Sequence, residues 1–323
     1  MTEKTNDVIL LADGTTVKRN PKLKMGWKRI FFIISFCILP IYNFLLFYVY
    51  TNASSFLMAF QGTHSDGSIY FTLENFSKVF AQISNPQSEM VLALGNTFKT
   101  FLINIVMYPI TVVVSYFLYK KIRLHNYFRI TFYLPTIVSG IVFSQFYIMF
   151  VSPEGPAPAF FEKLLGLDYA LEPLADYKYA NLFVWIHMVW LGFPGNLVIW
   201  GGTFSRIPDS VVEYAKIDGV GWVREMCQII LPMVWPTFSL FLILQLGGIF
   251  GASGQVFLLT FGEFNTQTLS NWFYMQVYGN VLRPGSSTFN YMSAWGFCIT
   301  VIACTISFVS RKFLTKLVPD VEF

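Results

Sequence analysis

The side chains able to do chemistry in this 323-residue chain are few, and most stand in apolar surroundings. Asn43, Asn104, Gln145, His187, Asn196, Gln245 and Gln255 all fall in or beside long apolar runs. At membrane depth an unpaired polar group is costly and often marks a pathway. Neutral amides exchange hydrogen bonds with hydroxyls, and aromatic rings lie against flat C–H faces, so this chemistry suits a polyhydroxylated solute. One run carries Trp185, His187, Trp190, Asn196 and Trp200, and another carries Gln245, Gly247, Gly248, Gly251, Ser253, Gly254 and Gln255. The candidate pathway set is Gln145, His187, Asn196, Gln245, Gly248, Ser253 and Gln255. Interhelical amide bonds and small residues at helix contacts are also ordinary membrane packing, and every member of the set, His187 first, has that alternative.

Other chemistries lack their residues. The three histidines, His64, His125 and His187, are scattered, and no CxxC or Cys/His cluster offers a metal site. No GxxxxGK[ST] loop is present, so the chain cannot hydrolyse ATP by the P-loop route. No catalytic residue, metal or cofactor is expected. A solute carrier working alone on an ion gradient would want carboxylates inside its spans, and these contain no Asp or Glu.

The elements that must position the polar residues follow from the charges. Charged residues are 12% of the chain and apolar residues 54%, too few charges to solvate a globular surface of this size. Six long intervals hold no Asp, Glu, Lys or Arg, and each accommodates the ~20 apolar residues that cross the hydrocarbon as a helix. The expected spans are 30–50, 101–119, 130–151, 182–202, 237–257 and 291–310, giving an all-α integral membrane protein with six transmembrane helices. A seventh charge-free interval, between Glu263 and Arg283, is too polar for lipid and reads as an external loop with an amphipathic helix.

With both termini inside, 17 of the 22 Lys and Arg fall on the cytoplasmic side, as the positive-inside rule requires. The net charge of +4 therefore reflects topology and implies no nucleic acid. The apolar run after residue 29 is too long for a cleaved signal, so the first span is kept. Cys37, Cys298 and Cys304 lie in spans and Cys227 in a cytoplasmic loop, so no external disulfide is expected. The loop between Ser152 and Tyr179 is rich in Pro and acid, with a short helix at 160–165. No internal repeat suggests the inverted plan of many secondary transporters.

The most informative segment is Glu213 to Pro232, a polar stretch between two apolar runs. Ser210 stands three residues before Glu213 in the spacing of a capping box, unless Pro208 occupies the first helical turn. Asp218-Gly219 permits a sharp reversal, with Asp218 able to cap a second helix over 222–229, which Leu231-Pro232 ends. Tyr214, Trp222 and Met226 would form a projecting apolar ridge. An Asp-Gly turn between two helices is otherwise a plain connector.

Glu213, Ala215, Asp218, Gly219, Ile229, Leu231 and Pro232 stand in register with the Glu-Ala-Ala, Asp-Gly, Ile-x-Leu-Pro loop of binding-protein-dependent ABC import permeases, which this chain resembles. It departs from that pattern at Tyr214, Val220 and Met226. The likeness runs from about residue 90 to 312. The stretch Gln255 to Thr260, with Gly262, Thr266 and Thr268-Leu269, and residues 149–167 are similar to the sugar-permease branch, that of the larger maltose and glycerol-phosphate permease subunits. The resemblance implies a type I ABC importer permease fold. It divides the chain into a cytoplasmic tail (1–29), a first span with external loop (30–89), a core permease domain (90–312) holding the coupling loop 205–232, and a second cytoplasmic tail (313–323). It further implies coupling to ATPase subunits through Glu213, Ala215, Asp218, Gly219, Leu231 and Pro232. The implied partners are a second, different permease subunit, two ATP-binding subunits, an extracytoplasmic solute-binding protein and the lipid of the cell membrane. The implied cargo is a carbohydrate, an oligosaccharide or related glycoside, with glycerol phosphate or another polyol as the alternative.

Overall fold

The computed structural model describes residues 8–10, 16–18, 26–64, 66, 68–166, 172–253, 255–281 and 288–317. Parts of both expected tails, together with Asp168, Gly254 and Arg283, lie outside the described residues. The chain divides into two units, Met1–Leu57 and Met58–Phe323.

In the first unit, β1 (Val8–Leu10) pairs antiparallel with β2 (Thr16–Lys18), a hairpin in the stretch expected to be a plain tail. Helix α1 (Trp27–Ala59) follows, its last two residues belonging to the second unit. At ~1.5 Å per residue this 33-residue helix outruns a ~30 Å hydrocarbon core, so it extends well beyond the expected 30–50. Pro40, inside it, lacks the N–H that would complete the ladder, and a π turn at Phe44–Tyr50 follows.

The second unit begins with an antiparallel hairpin, β2's successor β3 (Gln61–Thr63) with β4 (Ile69–Phe71), and the amphipathic α2 (Glu74–Ile83). The helices that frame the interior are α3 (Glu89–Tyr119), α4 (His125–Ile137), α5 (Gly140–Val151) and α7 (Ala180–Phe204), with the short α6 (Ala157–Leu165) between α5 and α7. Then come α8 (Asp209–Ile217), α9 (Trp222–Met233), α10 (Trp235–Gly247), α11 (Val256–Leu259), α12 (Leu269–Val281) and α13 (Thr288–Leu317). Among the described residues four helices are long and apolar enough to cross a membrane, and six spans result when each of two bent pairs counts as one.

The bends correct two expected spans. The third, 130–151, is broken: α4 and α5 meet at 102° across an extended Val138. The fifth, 237–257, stops as an α-helix at Gly247, passes through a 3-10 turn at Ile249–Gly251, and places Phe257 in the separate α11. At its other end α10 meets α9 at 82°. The glycines that end α10 explain part of this, because Gly is a poor helix former. A Cβ on Gly247 would collide with Ser307 Oγ of α13, so that glycine lets two helices touch.

Three buried clusters hold the second unit together. One joins α2, the start of α3, α12 and α13 around Met90, Trp272 and Trp295. Another joins α5, α7 and α11 around Tyr147, Phe183 and Val256. The remaining one joins Tyr108, Val112 and Tyr116 of α3 to Trp200 and Phe204 of α7 and to Ile207, Met226, Ile230 and Val234. It continues from the long helices into the 205–232 loop, so that loop is packed onto the bundle.

Candidate functional site

Helix α3 places Asn104, Tyr108 and Thr111 on one face, at helical spacing, and α7 places Gly192 and Asn196 opposite. With Gln245, Gly248 and Gly251 they surround a cavity of about 330 Å³. Phe101, Met188 and Phe193 supply apolar walls, and among the described residues no charged side chain lines it. The side-chain amide oxygen of Gln245, Oε1, is buried without a hydrogen-bond partner. An unpaired buried acceptor costs about 1–3 kcal/mol. Trp185 ties the two main walls together, its indole N–H donating to Thr100 Oγ1 at 3.1 Å.

Of the candidate pathway residues, the structure brings Asn196, Gln245 and Gly248 to this cavity. His187 is fully buried elsewhere, its Nε2 3.3 Å from Ser144 Oγ and its ring 4.8 Å from that of Tyr147. Gln145 is exposed on α5, Ser253 is half-buried, and Gln255 is exposed at φ 62°.

The 205–232 loop is two short helices around one turn. Pro208 stands just before the first helical residue of α8 as its N-cap, with no side-chain cap, so the expected capping box from Ser210 does not form. The far end closes as a Schellman motif: Gly219 N–H donates to Lys216 O at 3.2 Å and Val220 N–H to Ala215 O at 3.0 Å. Gly219 has φ +66°, the left-handed conformation that other residues adopt at a cost. A Cβ added there meets nothing within 4 Å, so within this chain the need for glycine is conformational. The cap of α9 is Gly221, where Asp218 was expected, and the helix runs through Leu231-Pro232 to Met233.

Glu213 and Asp218 are exposed, while Ala215 is buried. Glu213 lines a second cavity of about 510 Å³ together with Asp209, Lys121, Arg129 and Lys216. Tyr214 and Trp222 project as expected, and Ile217 and Val223 project beside them. Met226 does not. It is 5% exposed in the cluster with Tyr116 and Ile230, because the helix face carrying it is pressed against α3 and α7. That burial is worth ~1.5–3 kcal/mol, which a projecting side chain forgoes.

One pair escaped the reading of the sequence. Lys120, capping α3, donates to Glu225 Oε2 at 2.6 Å, and the Glu225 side chain is 2% exposed. The available signal was periodic: Glu225, Met226 and Ile230 share one face of α9, and a carboxylate on a buried face requires a cation beside it.

Apolar spans around an uncharged, amide-lined cavity, with a packed helix pair at one end of the bundle, define an integral membrane transport component. The model of the binding-protein-dependent transport system inner membrane component family matches residues 108–320, more than half of the chain, and the protein belongs to that family. The arabinooligosaccharides transport system permease protein AraP of Bacillus subtilis is 24% identical over 305 residues, covering 89% of this chain and 91% of its own. The multiple sugar-binding transport system permease protein MsmF of Streptococcus mutans is 25% identical, over 64% of this chain and 69% of its own. A chain of a bacterial alginate ABC transporter, crystallised in complex with an alginate pentasaccharide-bound periplasmic protein, superposes with TM-score 0.73 at 18% identity, over 94% of this chain and all of that one. These relatives are transport subunits, and this chain is a permease, not an enzyme.

Proposed function

We propose that the protein is the permease subunit of a binding-protein-dependent ABC importer and forms half of the pathway for an oligosaccharide. Both termini then face the cytoplasm, where 17 of the 22 basic residues fall. The observation that carries the cargo is the cavity between α3, α7 and α10. It offers amides, a phenol and apolar faces, and among the described residues no charged side chain lines it. Hydroxyls and C–H faces satisfy such a lining. A phosphate-bearing polyol would find no cation there. The sugar-transport names of AraP and MsmF support the same cargo.

Energy enters through the α8–α9 pair. Glu213 and Asp218 supply exposed polar contacts for an ATPase subunit, Gly219 the turn, and Ala215, Leu231 and Pro232 the packing that keeps the pair stiff. A second permease subunit closes the pathway, and a solute-binding protein delivers the sugar at the opposite face. Closure of the ATPase subunits moves the helix pair as a rigid body and alternates the access of the cavity.

The deciding experiment is uptake by vesicles holding the complex that co-purifies with this chain. Labelled arabino-oligosaccharides, galacto-oligosaccharides and an alginate oligosaccharide are offered with and without internal MgATP, beside glycerol 3-phosphate. Uptake of a neutral oligosaccharide only with MgATP and the binding protein supports the reading. Uptake by the chain without nucleotide, or of glycerol 3-phosphate alone, sinks it.

A further inference from the structure

The ion pair between Lys120 and Glu225 lies apart from the amide-lined cavity and from the exposed face of the helix pair, with Lys120 and Tyr119 at the wall of the second cavity. Buried ion pairs contribute little net stability compared with well-packed apolar residues, so a pair whose carboxylate is 2% exposed invites a different explanation. Three observations bear on it. Of the two ion pairs among the described residues, Lys78–Glu74 lies within α2, and Lys120–Glu225 alone joins separate elements, the end of α3 and the start of the α9 π turn. The polar cluster around it is only partly satisfied: Glu225 Oε1 and the Tyr119 hydroxyl are buried without partners, and the Tyr116 hydroxyl already lies against the Glu225 carboxylate but makes no bond of good geometry. Lys120 Nζ itself stands 5.6 Å from the centre of the Tyr116 ring. Finally, Glu225 opens a π turn, Glu225–Ile230, whose extra residue can be taken up or released by a one-residue slip. Such a slip swings a side chain by roughly 100° about the helix axis.

We propose that Lys120 and Glu225 are positioning residues of the coupling mechanism, forming the joint through which the α8–α9 pair turns α3 and with it the wall of the cavity. In the conformation described, Glu225 is held by Lys120. In the alternate conformation its carboxylate leaves Lys120 and accepts fully from the Tyr116 hydroxyl, already beside it, and from that of Tyr119. This rests on the ABC-importer reading and adds to it the point at which movement crosses from the loop to the spans.

The test uses the complete complex in nanodiscs, with MgATP and the binding protein loaded with the oligosaccharide selected by uptake. Glu225→Asp, Lys120→Met and the exchange Lys120→Glu with Glu225→Lys are compared with the unsubstituted chain and with Lys78→Met, which breaks the exposed pair in α2. Glu225→Asp keeps the charge but withdraws the carboxylate by one methylene. Expected is that Glu225→Asp and Lys120→Met bring down the ATPase subunit yet lose the stimulation of ATP hydrolysis by loaded binding protein about tenfold or more, while Lys78→Met keeps it. The exchange returns stimulation to within about threefold of the unsubstituted complex, a rescue that simple loss of packing does not allow. Full stimulation in Glu225→Asp overturns the proposal even if Lys120→Met fails to assemble, and so does an exchanged pair that assembles but stays unstimulated. If the unsubstituted chain brings down no ATPase subunit, the importer reading falls first, which separates the two failures.

Discussion

The Tyr108 hydroxyl donates to the Phe238 carbonyl at 2.9 Å, so the helix that supplies most polar residues of the cavity is tied to α10 just beyond its 82° bend. Tyr108 also packs its ring 5.1 Å from that of Phe238 and 5.9 Å from that of Trp200. Tyr108→Phe keeps the ring contacts and removes the bond. In a membrane such a bond contributes about 1 kcal/mol, so the melting temperature of the purified complex should fall by a few degrees at most, with the fold retained. A circular-dichroism melt in detergent reads this directly; an unchanged midpoint means that the hydroxyl does not hold α10.

Gly219 gives a sharper separation. Its φ of +66° makes any β-branched residue costly, about 1–2 kcal/mol, yet the space beside it in this chain is open. Gly219→Val should therefore leave membrane insertion intact while disrupting the turn, and transport should be lost. Asn adopts the left-handed region more readily, so Gly219→Asn should preserve the turn. If Gly219→Asn transports normally, the requirement is the backbone alone; if it also fails while binding sugar, the crowding comes from a docked ATPase subunit. Transport at the original rate in Gly219→Val removes the lever from the mechanism.

The contrast between what could and could not be read in advance is plain in these elements. Spans follow from charge-free length because the hydrocarbon tolerates few charges, and the Asp218-Gly219 reversal follows from backbone sterics. Both are local constraints. The bends were hidden because proline gives no consistent sign: Pro109 and Pro194 lie inside the unbroken α3 and α7, whereas Pro135 stands near a 102° break. Whether a helix bends at proline depends on the helices packed against it. The same dependence buried Met226, which one helix alone would have shown to solvent, and drew Glu225 inside with Lys120. In the candidate pathway, residue type selected seven positions, but only Asn196, Gln245 and Gly248 share the cavity. Helix rotation decides that, and 54% apolar composition leaves the lipid-facing and cavity-facing sides of each span poorly distinguished.

Asn96 shows how the far end of the bundle is held. Its amide donates to the carbonyls of Asn265 at 2.6 Å and Gln267 at 3.0 Å, and the neighbouring Thr97 hydroxyl accepts from Leu269 N–H at 2.8 Å. Phe261, Phe264 and Asn265, in the same loop, all have positive φ, a strained set that persists only where surrounding bonds enforce it. Asn96→Leu should release the Gln267 carbonyl, while that of Asn265 keeps the bond from Asn181 Nδ2 at 2.9 Å, and destabilise by about 1–3 kcal/mol, with faster hydrogen exchange confined to residues near 261–268. Exchange that stays slow there shows the loop to be held by packing alone.

Gln245 tests the cargo chemistry and the unpaired acceptor together. Because Gln245 Oε1 is buried without a partner, Gln245→Leu should not lower the stability of the complex, and by removing a buried orphan it can raise the melting temperature slightly. Once sugar enters, the same substitution removes an amide from the cavity wall. One neutral hydrogen bond is worth about 0.5–1.5 kcal/mol, so the KM for oligosaccharide uptake should rise roughly two- to tenfold, while ATP hydrolysis without substrate stays level. Asn196→Leu, on the opposite wall, should act in the same direction, whereas Gln145→Leu, exposed on α5, should leave KM unchanged. The measurement is initial uptake rate against oligosaccharide concentration in vesicles with saturating binding protein. A KM that moves for Gln145→Leu and not for Gln245→Leu would place the sugar path along a different face of the bundle.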